Sequence, residues 1–158
     1  QRQYARLRGD NQVYTPQIVV NGVEHAVGSN EWQIDAAIKK AADKLAKSRT
    51  TMKMTLEGDT FVIEVGTAQQ IPATKAGIIH LAVVKKSEMV SIGRGENGGR
   101  KVTYFNIVRQ MRTVGNWTGD KLVIRIPKSE MKVAADEFCV TLLQQGQAGP
   151  IIAAADLR

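Results

Sequence analysis

The fold of the first part of this chain is decided by the stretch Val13-Tyr14-Thr15-Pro16-Gln17-Ile18-Val19-Val20-Asn21-Gly22. Its β-branched residues predict a strand, and the Asn-Gly pair predicts a tight hairpin turn into a returning strand over 23–27. Because proline cannot donate a hydrogen bond to a neighbouring strand, Pro16 must lie at the start of the strand, at a sheet edge or in a special turn. The stretch therefore predicts a β-hairpin with a first strand over 13–20 and a returning strand over 23–27.

A helix is predicted directly after this hairpin. Ser29 or Asn30 can cap it, and Gln33 follows Asn30 at the spacing of a capping box. Apolar residues recur at helical spacing on one face of this segment, whereas lysines occupy the opposite face. The apolar positions are Ile34, Ala37, Ile38, Ala41 and Leu45. We expect a surface helix that packs on one side only.

The rest of the chain has the pattern of an antiparallel β domain. From about Thr51 the apolar period changes from 3.6 residues to 2, which predicts strands over 52–56, 61–65, 78–85, 89–92, 122–126, 137–144 and 151–155. The segment 102–114 fits either a helix or a strand, and its β-branched and aromatic residues favour a long strand. Repeated short strands with turns between them predict a small sandwich or barrel over 51–158.

The charge of the chain is positive but evenly distributed along the sequence. There are 22 Lys and Arg against 15 Asp and Glu, a net charge of +7, and each third of the chain carries an excess of two or three positive charges. A nucleic-acid-binding protein more often concentrates its cations among aromatic residues, which make up only 5% here. No apolar run approaches the ~20 residues of a membrane span. We therefore expect neither a nucleic-acid partner nor a membrane span.

The cysteine and the two histidines predict no redox or metal chemistry within this chain. Cys139 is the only cysteine, so the chain can form neither an internal disulfide nor a cysteine-rich metal site. It lies in an apolar, strand-like run, which is typical of a buried and inert thiol. His25 and His80 have no His, Cys or carboxylate at the spacing of metal ligands. We expect no metal, no cofactor and no catalytic residue.

A glycine cluster, Gly93-Arg94-Gly95-Glu96-Asn97-Gly98, matches the letters of the dinucleotide fingerprint. A dinucleotide site needs a helix that begins at the glycines, whereas Gly99-Arg100-Lys101 leads into a strand-like segment. We expect a tight loop. Its candidates for contact with a protein or peptide partner are Arg94, Glu96, Asn97 and Arg100.

The segment around Pro16 has the layout of the second half of a thioredoxin fold, in which a proline at the start of a strand is followed by a hairpin and a C-terminal helix. In that fold the proline is cis, and the residue before it offers backbone groups to an extended substrate. This layout predicts a cis Thr15–Pro16 bond, although most X–Pro bonds are trans.

The whole chain resembles a family of exported bacterial thioredoxin-like proteins of unknown function that carry an extra C-terminal β domain. The resemblance rests on four stretches: Tyr14-Thr15-Pro16-Gln17-Ile18-Val19-Val20-Asn21-Gly22, Gly93-Arg94-Gly95-Glu96-Asn97-Gly98-Gly99-Arg100, Gly115-Asn116-Trp117-Thr118-Gly119 and Gln144-Gln145-Gly146-Gln147-Ala148-Gly149-Pro150-Ile151-Ile152.

The resemblance implies an α+β fold with two domains. Residues 1–48 would form the C-terminal half of a thioredoxin-like α/β layer, and residues 51–158 an antiparallel, β-sandwich-like domain. Similar proteins carry a Cys-x-x-Cys motif upstream, which this chain lacks, so we expect it to be a piece of something longer. Only Thr15 and Pro16 correspond to the thioredoxin site, as the substrate groove facing the missing cysteines. The resemblance also implies a periplasmic or secreted protein.

Two functions follow as hypotheses. The full-length protein would be a thiol–disulfide oxidoreductase or a degenerate relative, with Thr15 and Pro16 shaping the substrate groove. Alternatively, the β domain is a non-enzymatic binding or assembly module that uses the loop from Arg94 to Arg100 as its contact surface. The sequence leaves the substrate, the partner and the oligomeric state open.

Overall fold

A computed structural model of the chain describes residues 1–68, 76–94 and 98–158. Its helices are α1 (Arg2–Arg8), α2 (Glu31–Leu45) and a short 3-10 helix (Lys128–Glu130). Its strands are β1 (Gln17–Val20), β2 (Glu24–Val27), β3 (Met52–Glu57), β4 (Thr60–Val65), β5 (Gly77–Ser91), β6 (Lys101–Trp117), β7 (Leu122–Pro127), β8 (Glu137–Gln145) and β9 (Ile151–Leu157).

The described strands form three antiparallel sheets. The two larger ones have the orders β3-β4-β7 and β6-β5-β8-β9, and their inward side chains meet in one buried cluster. Ile63 of the first sheet and Leu81 and Leu143 of the second are fully buried there. Trp117 is also fully buried, and its indole N–H donates to the Gly66 carbonyl at 3.1 Å. This part of the chain is therefore antiparallel, with two sheets that share one buried core.

The first part of the chain is a hairpin with a helix packed against it. β1 pairs only with β2 among the described strands, and α2 lies against both. As predicted, Asn30 caps α2 by accepting a hydrogen bond from the Gln33 N–H at 3.0 Å. The Gln33 side chain instead reaches the Val27 N–H, so the capping box is not closed on Asn30.

The predicted partial thioredoxin-like α/β layer over residues 1–48 is wrong. Half of the described residues, 50%, lie in strands and 17% in helices, and the larger sheets are entirely antiparallel. The hairpin motif was correctly identified, but in the described part of the chain no further strand extends it into a layer. Only the broad α+β class fits, and the domain boundary near residues 48–51 stays a prediction.

β5 and β6 form a ribbon longer than the sheet that contains it. The predicted strands over 78–85 and 89–92 are one continuous strand, and the segment 102–114 is a strand, as its composition favoured. β8 pairs with β5 only as far as Lys85, whereas β6 pairs with it as far as Ser91. We call residues 85–109 the β5–β6 arm, of which 95–97 lie outside the described residues. No helix of the described segments is long and apolar enough to cross a membrane.

The hairpin turn at Asn21-Gly22 joins the first part of the chain to the sandwich. The Ile151 N–H donates to the Asn21 carbonyl at 3.0 Å, and the Gln144 amide donates to the Tyr4 hydroxyl at 2.7 Å. Gly22 has a φ of +74°, and a Cβ there would lie 2.6 Å from the Gly149 carbonyl oxygen. The two parts therefore meet at the turn between β8 and β9.

We expect Gly22→Ala to destabilise the protein more than Gly58→Ala. Both glycines have positive φ, at +74° and +57°, so each alanine incurs about 1–2 kcal/mol of backbone strain. Only the alanine at position 22 also collides with backbone, because nothing lies within 4 Å of a Cβ at Gly58. Urea unfolding measures both losses. Equal losses would show that the contact with Gly149 is not tight in solution.

Candidate functional site

Hydrogen bonds and one close ionic contact join four polar side chains near the start of β1. The Tyr14 hydroxyl lies 2.7 Å from His25 Nδ1, and His25 Nε2 lies 3.2 Å from Asp10 Oδ2. Arg8 Nε and Nη2 donate to the same carboxylate at 2.8 and 3.1 Å. We call Arg8, Asp10, Tyr14 and His25 the Tyr14 cluster. It brings a hydroxyl, an imidazole, a carboxylate and a guanidinium into one group of contacts.

Local structure explains why these four side chains meet. α1 ends at Arg8, and the positive φ of 81° at its C-cap Gly9 turns the chain, so that Asp10 follows directly after the helix. The Asp10 side chain then accepts the Gln12 N–H at 2.8 Å, which fixes the connection to β1. His25 lies on β2 opposite Val19, one residue before the buried Ala26, and so projects from the other face of the hairpin.

Electrostatics fixes the proton positions in the cluster. The hydrogen bonds from the Arg8 side chain and the Gln12 N–H lower the pKa of Asp10 from 3.8 to about 2. The carboxylate is therefore ionised at neutral pH and can only accept hydrogen bonds. The anion beside Nε2 favours the neutral tautomer with its proton on Nε2, which leaves Nδ1 to accept the Tyr14 O–H.

The predicted groove residues lie directly beside this cluster. Thr15 and Pro16 are both exposed, and the peptide bond between them is cis. The Pro16 carbonyl accepts the Gly28 N–H at 2.9 Å, which closes the open end of the hairpin. Their assignment to a substrate groove stays a prediction.

The predicted partner loop lies at the tip of the β5–β6 arm. Ile92 donates to the Arg100 carbonyl at 2.9 Å and accepts from the Gly99 N–H at 2.7 Å. These bonds hold Arg94 and Arg100, both exposed, at the same end of the arm. Glu96 and Asn97 lie outside the described residues. Whether the loop contacts a partner also stays a prediction.

The arm exposes large apolar side chains on both of its faces. Tyr104 is 48% exposed and Phe105 71%, and as neighbours in a strand they project in opposite directions. Met89 and Val108 are likewise exposed. The arm also carries six Lys and Arg against two Glu. The expectation of an even charge therefore holds along the sequence but not in the fold, because β5–β6 pairing gathers cations that are up to 24 positions apart.

Sequence reasoning missed the Tyr14 cluster because it tested His25 only against metal-ligand spacings. The useful signal was the predicted hairpin, which brings the returning strand beside the residues that precede the first strand. Among the described residues, no group of three or more His, Cys, Asp and Glu is placed to hold a metal ion.

Cys139 has the environment predicted for it. Its side chain is buried in the sandwich core, with 2% exposure, and burial raises the pKa of the thiol, with a further contribution from Glu137. A protonated, buried thiol is a poor nucleophile. The only sulfhydryl of the chain is therefore inert in the folded protein.

Comparisons with known proteins give a family and a fold. The sequence model of a family described as "Protein of unknown function (DUF1223)" matches residues 1–144. No curated protein matches the chain. The X-ray crystal structure of protein AGR_C_4864 from Agrobacterium tumefaciens is similar, with a TM-score of 0.78 at 24% identity over 98% of this chain and 66% of that one. At that identity the likeness shows the fold alone.

A second structure, of hypothetical protein PH1083 from Pyrococcus horikoshii OT3, has a TM-score of 0.28 at 14% identity, over 70% of this chain and 87% of that one. This likeness is too low to support any argument. The 66% coverage of the Agrobacterium protein means that this chain spans just under two thirds of its length.

We expect the Cys139 thiol to be unreactive toward Ellman's reagent in native buffer and to react fully, at one thiol per chain, after unfolding in guanidinium. Ser87→Cys, at an exposed position on the arm, is the control that should react at once in the native state. A fast reaction of the native wild-type protein would show that the core opens around Cys139.

We expect Asp10→Asn to destabilise the protein at pH 7, and the difference from wild type to shrink as the pH falls from about 4 toward 2. The folded pKa of Asp10 is about 2, below its unfolded value, so the ionised carboxylate stabilises the fold above that range and loses this effect on acidification. Urea unfolding at several pH values measures the difference. Asp35→Asn, at an exposed position of α2, is the control and should change the free energy of unfolding little at any pH. If Asp10→Asn lowers the free energy of unfolding by the same amount at every pH, the lowered pKa of Asp10 is contradicted.

Proposed function

We propose that this chain, which belongs to the DUF1223 family of proteins of unknown function, is a non-enzymatic binding module that captures an acidic protein or peptide with its β5–β6 arm. The observation that carries this proposal is the combination of exposed apolar side chains and excess positive charge on one two-stranded ribbon. The other observations concern the backbone and the placement of charge along the arm.

The apolar side chains of the arm support binding rather than stability. Single exposed apolar residues are common on protein surfaces, whereas neighbouring large ones mark interaction sites. Met89 lies opposite Thr103 on the adjacent strand, so it shares one face of the ribbon with Phe105, whereas Tyr104 lies on the other face. β8 ends before this part of the ribbon, so no third described strand extends the sheet beside it.

The backbone of β6 also supports binding. β6 is an edge strand of its sheet, and no described strand pairs with its outer side. An exposed edge offers main-chain donors and acceptors to an added strand, as in peptide recognition by strand addition. Asn106, with a φ of +53°, interrupts the strand, so an added strand would pair best with residues 101–105.

The charge of β6 favours an acidic partner over a second copy of this chain. β6 carries Lys101, Arg109 and Arg112 and no acidic residue, so two β6 strands placed edge to edge would repel one another. Arg109 and Arg112 already form ion pairs with Glu88 and Glu130. The acidic groups of a partner should therefore meet the tip of the arm, where Arg94, Arg100 and Lys101 are exposed.

The thiol–disulfide oxidoreductase suggested by the resemblance is a second proposal, for a longer protein of which this chain would be one part. Exposed Thr15 and Pro16 support it, because they would be open to an extended substrate. This chain has no cysteine pair and its Cys139 is buried, so the activity would need cysteines from elsewhere. Export to the periplasm is likewise a proposal and rests on the resemblance alone.

We expect the protein to bind a short, extended peptide that alternates Glu with Val and Thr, and to bind it less tightly as ionic strength rises. The triple variant Arg94→Glu, Arg100→Glu, Lys101→Glu should weaken binding by at least about tenfold, because it reverses the charge at the arm tip. Fluorescence anisotropy with a labelled peptide measures both effects.

The control is a variant with the same charge change away from the arm: Lys39→Glu, Lys53→Glu, Lys132→Glu. It should bind the peptide as the wild type does, within about twofold. Both variants should unfold within about 0.5 kcal/mol of the wild type per substitution, as exposed changes do. Equal weakening by the two triple variants would mean that net charge alone attracts the peptide. A wild-type protein that ignores the acidic peptide would refute the proposed partner class.

A further inference from the structure

The Tyr14 cluster has a chemistry that partner binding by the arm does not use. A tyrosine hydroxyl has an unperturbed pKa near 10, so at neutral pH it is a neutral phenol and a weak nucleophile. It becomes reactive when a neighbouring base accepts its proton as the new bond forms. Three features are then required: a base in hydrogen-bond contact, a group that orients this base, and access for the reacting molecule.

His25 meets the requirement for the base. Its Nδ1 lies 2.7 Å from the Tyr14 oxygen, a short distance for a hydrogen bond to an imidazole nitrogen. The rings are tilted by 58° with centroids 5.7 Å apart, so the contact is made at their edges rather than by stacking. A neutral imidazole is the side chain best suited to accept a proton near pH 7.

Asp10 meets the requirement for the orienting group. Its carboxylate lies 3.2 Å from His25 Nε2, a close contact between the two groups, and is itself held by Arg8 and by the Gln12 N–H. The anion stabilises the imidazolium that forms when His25 takes the Tyr14 proton. Asp10 is thus a positioning residue that acts through His25. The arrangement has the roles of a hydroxyl, a base and an orienting acid, which are recognised by geometry rather than by order in the sequence.

The surroundings of Tyr14 meet the requirement for access. Tyr14 and His25 are half-buried, and the following Thr15 and Pro16 are exposed. The hydroxyl uses its proton toward His25, so the lone pairs of the oxygen are left for an electrophile.

We propose that Tyr14 is a nucleophilic tyrosine that accepts an acyl group from an activated acyl donor, with His25 as the general base and Asp10 holding the base in place. This activity lies outside the binding function of the arm and shares no residue with it.

In this step the Tyr14 oxygen attacks the acyl carbon while its proton passes to His25 Nδ1. The bond between the acyl carbon and its leaving group then breaks. The leaving group takes the electron pair of that bond and the proton from His25. The products are O-acyl-Tyr14 and the protonated leaving group, and His25 returns to its neutral form. No oxidant, reductant or metal is needed.

The chain supplies its own controls for a test with N-acetylimidazole, whose leaving group is imidazole. Tyr104 is 48% exposed on the arm, and Tyr4 has a hydroxyl that accepts a hydrogen bond from Gln144. Peptide mapping by mass spectrometry gives the acetylation rate of each tyrosine in one sample. At pH 7 we expect Tyr14 to react at least about tenfold faster than Tyr104 although it is less exposed, since general-base assistance usually contributes more than that.

The pH profile and two variants separate a base that takes the Tyr14 proton from a structural hydrogen bond. The Tyr14 rate should depend on pH differently from the Tyr104 rate, because only Tyr14 has a base in hydrogen-bond contact. His25→Gln keeps a hydrogen-bond acceptor but cannot take the proton, so it should lower the Tyr14 rate at least about tenfold and leave Tyr104 unchanged. Asp10→Asn should act in the same direction.

His80→Gln is the matched control, because His80 also contacts a hydroxyl, that of Thr113, at 3.4 Å. It should not change the Tyr14 rate. The proposal is overturned if Tyr14 of the wild type reacts no faster than Tyr104, a result that needs no variant to fold. It is also overturned if His25→Gln folds and reacts at the wild-type rate. Neither outcome bears on the peptide binding of the arm.

Discussion

The structure depends on strand β5, which pairs along its first half with β8 on one side and with β6 on the other. In that half, Ile79, Leu81 and Val83 point into the sandwich core and are buried. Burial of three such side chains contributes several kcal/mol, on the order of 2 kcal/mol each, and fixes the register because a slip by one residue would expose all of them. The second half of β5 does not pair with β8. The same strand therefore contributes to the core with its first half and to the exposed arm with its second half.

The Tyr14 cluster depends on a different constraint, which is short in sequence. All four side chains lie between residues 8 and 25, and the Asn21-Gly22 turn folds this segment back on itself. Contact with the β8–β9 turn then sets where the hairpin lies on the sandwich. A local hairpin can bring a hydroxyl, an imidazole and a carboxylate together with few long-range contacts, because closing a short loop costs little chain entropy.

The sequence predicts the features that depend on local contacts and misses those that depend on pairing between distant strands. Strong local signals identified the hairpin at Asn21-Gly22, the cap at Asn30 and the alternating strands of the sandwich. The thioredoxin-like layer failed because a hairpin followed by a helix specifies only two strands, while a layer is defined by distant strands that local patterns do not encode. The charge of the arm was missed for a related reason: Lys85 and Arg109 come together only through strand pairing. The predicted hairpin already implied that Asp10 and His25 lie close together. Their contact was missed because His25 was tested only against the spacing of metal ligands.

The position of the single cysteine decides where reactivity can reside in this chain. A thiolate would be the strongest nucleophile available to it, but Cys139 lies in the core with a raised pKa. Any nucleophilic chemistry of the folded chain must therefore use oxygen or nitrogen, and such atoms need a base or a loss of charge to react near pH 7. Among the tyrosines, Tyr4 has its hydroxyl engaged as an acceptor from Gln144, whereas the Tyr14 hydroxyl lies 2.7 Å from one nitrogen of an imidazole whose other nitrogen lies 3.2 Å from an ionised carboxylate. The same hydroxyl group is thus a structural contact in one place and a candidate nucleophile in the other, and the difference is set by which partner can take a proton.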